Sequence, residues 1–129
     1  MSTMMANVAD KTAAPTRGDE RTYRIGDLAR EFDVTLRTLR FYEDKGLIQP
    51  ERRGTSRIYS AADRERLGMA LFGKRIGLAL SEIRTVLHHH DEGAHDEVRA
   101  IYREQRGELE AERGRIDAAI HELDDRLKG

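Results

Sequence analysis

Thr35-Leu36-Arg37-Thr38-Leu39-Arg40-Phe41-Tyr42-Glu43-Asp44-Lys45-Gly46-Leu47 is the stretch that decides how this sequence folds. Thr35 offers a hydroxyl to the free N–H groups of a helix starting beside it, and Gly46 suits the left-handed residue that ends one. Leu36, Leu39 and Phe41 are the apolar positions, while Thr35, Arg37, Thr38 and Arg40 crowd the first turns. Upstream, Ile25, Leu28, Ala29 and Phe32 fall at the i, i+3, i+4, i+7 spacing of an amphipathic helix. Asp33 and Val34 leave only a tight break before Thr35. Two short helices about three residues apart read as a helix-turn-helix.

In such a motif the N-terminal end of the second helix enters the DNA major groove. Its free N–H groups and dipole also attract phosphate. Arg37 is placed for a bidentate contact to guanine, and Arg40 and Tyr42 for phosphate. The competing reading, solvated arginines on an ordinary helix, loses weight once the flanking sequence is added. Residues 47–59, LIQPERRGTSRIY, hold the helix breakers Pro50 and Gly54 and the strand formers Ile58 and Tyr59. They predict a short β-hairpin, a wing, bearing Arg52, Arg53 and Arg57. Ser60 and Asp63 resemble a capping box that opens a third helix over Ala61 to Ile76, which Gly77 ends. A fourth helix follows, with Leu80, Ile83, Val86 and Leu87 on one face, and His88–Ala94 reads as a polar joint.

From His95 to Lys128 there is no proline, and the spacing predicts one long helix. Tyr102, Leu109, Ile116 and Leu123 recur every seven residues, a heptad row. The companion row is poor, since Val98 and Ala119 fit it but Gln105, Glu112 and Arg126 are polar. Gly107 and Gly114, on the opposite face, each cost about 1 kcal/mol of helix stability. Such a helix is marginal alone and calls for a partner.

The 129 residues carry 23 Lys+Arg against 24 Asp+Glu, a net charge of −1, which hides a split. Residues 21–85 hold 14 basic and 9 acidic groups, and residues 86–129 hold 7 basic and 12 acidic. A basic half followed by an acidic one suggests a nucleic-acid face and a separate task for the rest. An acidic arm repelled by DNA would leave the basic face as the docking surface. There is no cysteine, so disulfides and thiolate metal sites are excluded. No apolar run nears the roughly 18 residues of a membrane span. The first 20 residues lack the basic start and apolar core of a secretory signal. A cytoplasmic, nucleoid-associated protein is therefore expected.

These residues resemble the MerR family of transcriptional regulators. The resemblance rests on YRIGDLAREFDV (Tyr23–Val34), TLRTLRFYEDKGLI (Thr35–Ile48), R-I-Y (Arg57–Tyr59), SAADRERL (Ser60–Leu67) and GKRIGLALSEIRTVL (Gly73–Leu87). Within the family the pattern is most similar to regulators of branched-chain acyl catabolic genes. The resemblance implies a mainly α protein: a winged helix-turn-helix DNA-binding domain followed by a long dimerisation helix that forms an antiparallel coiled coil. The expected domains are a disordered tail over 1–21, the DNA-binding domain over 22–90 and the dimer helix over 91–129. The implied partners are double-stranded DNA with a pseudo-palindromic promoter operator, a second copy of the chain, and RNA polymerase. Carried over, Arg37 and Thr38 face bases, and Arg40 and Tyr42 meet phosphates, with Thr35 at the helix start. Arg53, Arg57 and Tyr59 make wing contacts, while Leu39 and Phe41 belong to the core. Arg24 and Ala79 stand where the family often has a capping Ser or Thr, a loss of about 1 kcal/mol each. Many members add a ligand-binding domain after the long helix; a sequence stopping at Gly129 is expected to lack one.

Other functions weigh less. His88, His89, His90, Asp91, Glu92, His95 and Asp96 gather groups that suit zinc, nickel or cobalt. Gly93 interrupts the helix that would align them, so His88, His90 and His95 are candidate ligands only and no cofactor is assigned; a polar linker or a protonation-sensitive segment competes. No phosphate loop or nucleophile elbow argues for an enzyme. The alternative from another class is a DNA-bending accessory or architectural protein, against which the long dimer helix speaks.

Overall fold

The computed structural model describes residues 21–129, so the expected disordered tail over 1–21 lies almost wholly outside the described residues. The elements run β1 (Thr22–Arg24), α1 (Ile25–Phe32), α2 (Leu36–Asp44), β2 (Glu51–Arg53), β3 (Ser56–Ser60), α3 (Ala61–Arg75), α4 (Leu80–Asp91) and α5 (His95–Leu127). They fall into two compact units, one reaching Phe72 and the other Gly73–Gly129.

In the first unit, α1 and α2 form the helix-turn-helix. Asp33 takes a left-handed conformation at φ 55°, and the Val34 N–H returns to the Ala29 carbonyl at 3.0 Å, so the chain turns within three residues. Asp is among the few residues besides glycine that visit this region routinely. Gly46 does the same after α2, at φ 76°. The sheet order is β1-β3-β2, antiparallel throughout. Gly54, at φ 63°, opens the two-residue loop between the paired Arg53 and Ser56. β1 was not anticipated; it pairs Tyr23 with Tyr59 and closes the open side of the wing. Leu28, Leu39, Tyr42, Ile48, Tyr59 and Leu67 are fully buried.

Helix starts follow the acidic residue three positions in. Ser60 and Asp63 form the expected reciprocal box, with Asp63 N–H to Ser60 Oγ and Ser60 N–H to Asp63 Oδ2 both at 3.0 Å. Where Arg24 and Ala79 supply no cap of their own, half of the box survives. Asp27 accepts the Arg24 N–H at 2.9 Å, and Glu82 accepts the Ala79 N–H at 2.8 Å.

In the second unit α4 packs along the start of α5, and Leu78, Ile83, Val86, Leu87 and Val98 are buried. The division between units at Phe72–Gly73 therefore falls earlier than the boundary at residue 90 read from the sequence: the apolar face of α4 groups it with α5. The histidine run is also not a joint. His88, His89 and His90 lie inside α4, and the break is confined to Glu92–Ala94 with Gly93 at φ 72°.

Gln105, a misfit in the heptad pattern, has a local role. Its Nε2 donates to the Ile76 carbonyl at 2.6 Å, satisfying an orphan acceptor just past the end of α3. Gly77 lies beside it at φ 90°, and an added Cβ would come within 3.1 Å of that Nε2. Gly77→Ala is expected to destabilise the protein by about 1–2 kcal/mol, the cost of a left-handed L-residue, read as a lowered midpoint in denaturant unfolding.

Candidate nucleic-acid interface

The face of α2 is set by which side chains its periodicity buries. Leu39 and Tyr42, three residues apart, point inward, and Tyr42 is only 2% exposed. Arg37 and Arg40 are exposed, and among the described residues neither is engaged in an ion pair. Thr35 caps the helix: its Oγ1 accepts the Thr38 N–H at 3.0 Å and donates to Thr38 Oγ1 at 3.0 Å. Thr38 is half-buried beside it.

Two adjacent aromatic residues exchange the roles expected of them. Tyr42 was expected at a phosphate and Phe41 in the core; Tyr42 is buried, and Phe41 is 45% exposed. The reason is helical geometry, because a residue three after Leu39 shares its face and one two after it does not. Burial also pushes the Tyr42 phenol up from its ordinary value.

Tyr59 likewise does not reach outward from the wing. It is fully buried on β3, its hydroxyl donating to Glu43 Oε1 at 3.4 Å, because alternation along the strand turns it toward the core. Arg57 Nε donates to the same Oε1 at 2.8 Å, and Arg52 lies 3.7 Å from Oε2. Glu43, whose side chain is 16% exposed, thus joins α2 to both strands of the wing. Glu43 is not among the residues that the sequence pattern singles out. A carboxylate four residues after Leu39, in a run of arginines, was the available signal. Arg53 is more loosely held, paired with Glu51 at 3.1 Å in the open.

Between α1, α2 and the wing lies a groove of about 480 Å³ lined by Arg24, Arg30, Arg40 and Arg57, with Asp27 the one acid on its wall. Arg30 is paired with that Asp27 at 2.8 Å. The groove suits an extended polyanion: several guanidinium groups on a concave wall, beside the N-terminus of α1.

In the second unit, Tyr102 is half-buried, and burial raises its phenol above the ordinary value. The rest of the heptad row lies open, from 41% exposure at Leu109 through Ile116 to 60% at Leu123, with Ile120 and Leu127 flanking it. His88, His89 and His90 sit in the last turn of α4, and the His90 and His95 rings are 6.4 Å apart. Among the described residues no group of three or more His, Asp or Glu is arranged to hold a metal ion. No helix among them is long and apolar enough to cross a membrane.

Residues 23–90 match the MerR HTH regulatory protein family, and residues 64–126 match its MerR DNA-binding description. The chain belongs to the MerR family. Among MerR relatives, the transcriptional activator TipA of Streptomyces coelicolor is 38% identical over 97 residues, 74% of this chain but only 37% of TipA. The regulator ZntR of Escherichia coli is 34% identical over 94 residues, covering 69% of this chain and 67% of ZntR. The chain thus spans about a third of one relative and two thirds of the other. Among solved structures, the N-terminal part of Mta, the multidrug transporter activator of Bacillus subtilis, superimposes with a TM-score of 0.66 at 33% identity, covering 83% of this chain and 99% of that one. HiNmlR, a MerR regulator solved on promoter DNA, shares the fold with a TM-score of 0.63 at 20% identity, over 78% of this chain and 79% of its own.

The Tyr59 phenol is pushed up to about 12, chiefly by burial, with the Glu43 carboxylate adding to the rise and Arg57 opposing it. A phenol held protonated in the folded state contributes stability below its unfolded value near ~10, and that contribution disappears as pH climbs through 12. Unfolding free energy is therefore expected to fall between these limits, and Tyr59→Phe to flatten the decline without abolishing it, as followed by denaturant titration across alkaline pH.

Proposed function

We propose that this chain is a sequence-specific DNA-binding regulator of transcription that acts as a homodimer on a pseudo-palindromic promoter operator, where RNA polymerase is its further partner. The observation that carries the reading is the exposed pair Arg37 and Arg40, free of ion pairs among the described residues, beside a groove walled by Arg24, Arg30 and Arg57. Arg37 on the first turn is assigned to a base edge, with Thr35 and Thr38 beside it at the helix start. Arg40, Arg53 and Arg57 are assigned to the sugar-phosphate backbone. Arg57 keeps guanidinium N–H groups for phosphate even while its Nε is held by Glu43. Tyr42 and Tyr59, being buried, act behind this surface by setting the helix and the strand.

The homodimer rests on α5. A helix of 33 residues is about 50 Å long at ~1.5 Å per residue, and its apolar row is open over its second half. A second copy lying antiparallel would cover Leu109, Ile116 and Leu123 and bring Tyr102 of each chain toward the far end of the other. The accessory reading gains nothing from such an arm. A cytoplasmic location follows from the role.

Arg37→Ala is expected to weaken operator binding and to relax discrimination at one base pair by about 1–3 kcal/mol, measured by fluorescence anisotropy on single-position operator variants. An equal loss on random DNA would move Arg37 to the backbone. Sedimentation equilibrium is expected to give twice the chain mass at micromolar concentration; a persistent monomer would contradict the operator model.

A further inference from the structure

Phe41 is a large aromatic side chain, 45% exposed, and with Leu36 it is one of two exposed apolar residues on α2, whose outer face is otherwise charged and polar. It follows Arg37 by four residues, which places it on the same face one turn further along. Lys45 Nζ stands 5.6 Å from its ring centroid, and the Tyr42 ring meets its edge at 5.5 Å from behind. The ring is thus braced on its inner side by a buried residue and flanked by a cation, with an open side left over. A lone exposed aromatic needs no explanation in general; one braced within a row of basic side chains has a surface to meet.

We propose that Phe41 is a specificity-determining residue that packs on the 5-methyl group of a thymine in the operator, with Lys45 on the neighbouring phosphate. The inference rests on the DNA-binding reading above and names a base it reads. The chemistry is that of apolar contact with the one base that shows a methyl group in the major groove. Charge selects the occupant: Lys45 stands over the ring and Arg37 lies one turn before it on the same helix face, and a polyanion bearing apolar methyl groups in its groove satisfies both parts of the surface. The position is committed by geometry. Four residues of helix rise about 6 Å at ~1.5 Å each, so the thymine lies within about two base-pair steps of the guanine read by Arg37.

The test uses the full chain and an operator duplex obtained by selecting bound fragments from genomic DNA, with each thymine replaced in turn by uracil, which lacks the methyl group. For the wild-type protein, uracil at one position per half-site, within two base pairs of the guanine that Arg37→Ala identifies, is expected to weaken binding about fourfold per half-site, the worth of one buried methyl-sized group. Phe41→Ala is expected to show a loss at least as large on the thymine duplex and to be indifferent to uracil there. Phe41→Leu, which keeps an apolar contact, is expected to retain the uracil effect. The proposal is overturned if Phe41→Ala binds like the wild type, or if its loss is the same on every duplex while the wild type ignores uracil, which would place the ring against the sugar-phosphate backbone. Wild-type protein that selects no operator at all would overturn the DNA reading and this inference with it, whereas selection without thymine dependence overturns this inference alone.

Discussion

The charge cluster at Glu43 is the interaction on which the basic surface of α2 and the wing depends. One carboxylate on α2 accepts from Arg57 and Tyr59 and faces Arg52, so α2 and both strands of the wing meet at a single anion. A charge largely removed from water must be paired, and two of the partners here also carry a second duty. Arg57 lines the groove and Tyr59 fills the core beneath it. Removing Glu43 would therefore leave guanidinium groups unmatched and loosen the wing from the helix. The spacing between the two parts that would touch DNA is thus held by electrostatics as well as by packing.

Packing decides the other half. With Leu39 and Tyr42 committed to the core, helical geometry leaves Arg37, Arg40 and Phe41 outside. The basic side chains are not gathered by attraction to each other; they share an outer face because the apolar residues claimed the inner one. The acidic groups near this face are mostly spent locally. Asp27 answers the Arg24 N–H and Arg30, and Glu31 is paired with Arg64, whose hydrogen bond holds the Glu31 carboxyl below its ordinary value. Among the described residues Arg37 and Arg40 are left without an ion pair.

Much of the fold was legible because local signals agreed with one another. The caps at Thr35 and Ser60, the left-handed stops at Gly46 and Gly77, and the breaker pair around the wing all act within a few residues, and their elements stand where they were read. Two of the misreadings, β1 and Gln105, depend on partners distant in sequence, and the others on which face of an element is buried. Strand β1 is three residues long with no alternation of its own and exists by pairing with β3. Gln105 looked like a flaw in a heptad row until the Ile76 carbonyl was found opposite it. Tyr59 looked like a surface contact because its neighbours are arginines, yet strand alternation sends it inward. Phe41 and Tyr42 differ by one position, and the three-residue spacing from the buried Leu39 selects Tyr42 for the core. Of the site, the cationic positions Arg37 and Arg40 were legible from the helix start, whereas Glu43, which organises the wing around them, was not.

The central claim is that this basic face is presented twice, once by each of two chains joined through α5. Hydroxyl-radical footprinting on a genomically selected operator tests it most directly. The account predicts two equivalent protected patches, related by the operator's two-fold symmetry and separated by about one helical turn of DNA or a multiple of it, roughly 34–36 Å per turn. A single protected patch, or protection spread evenly along the duplex, would contradict it.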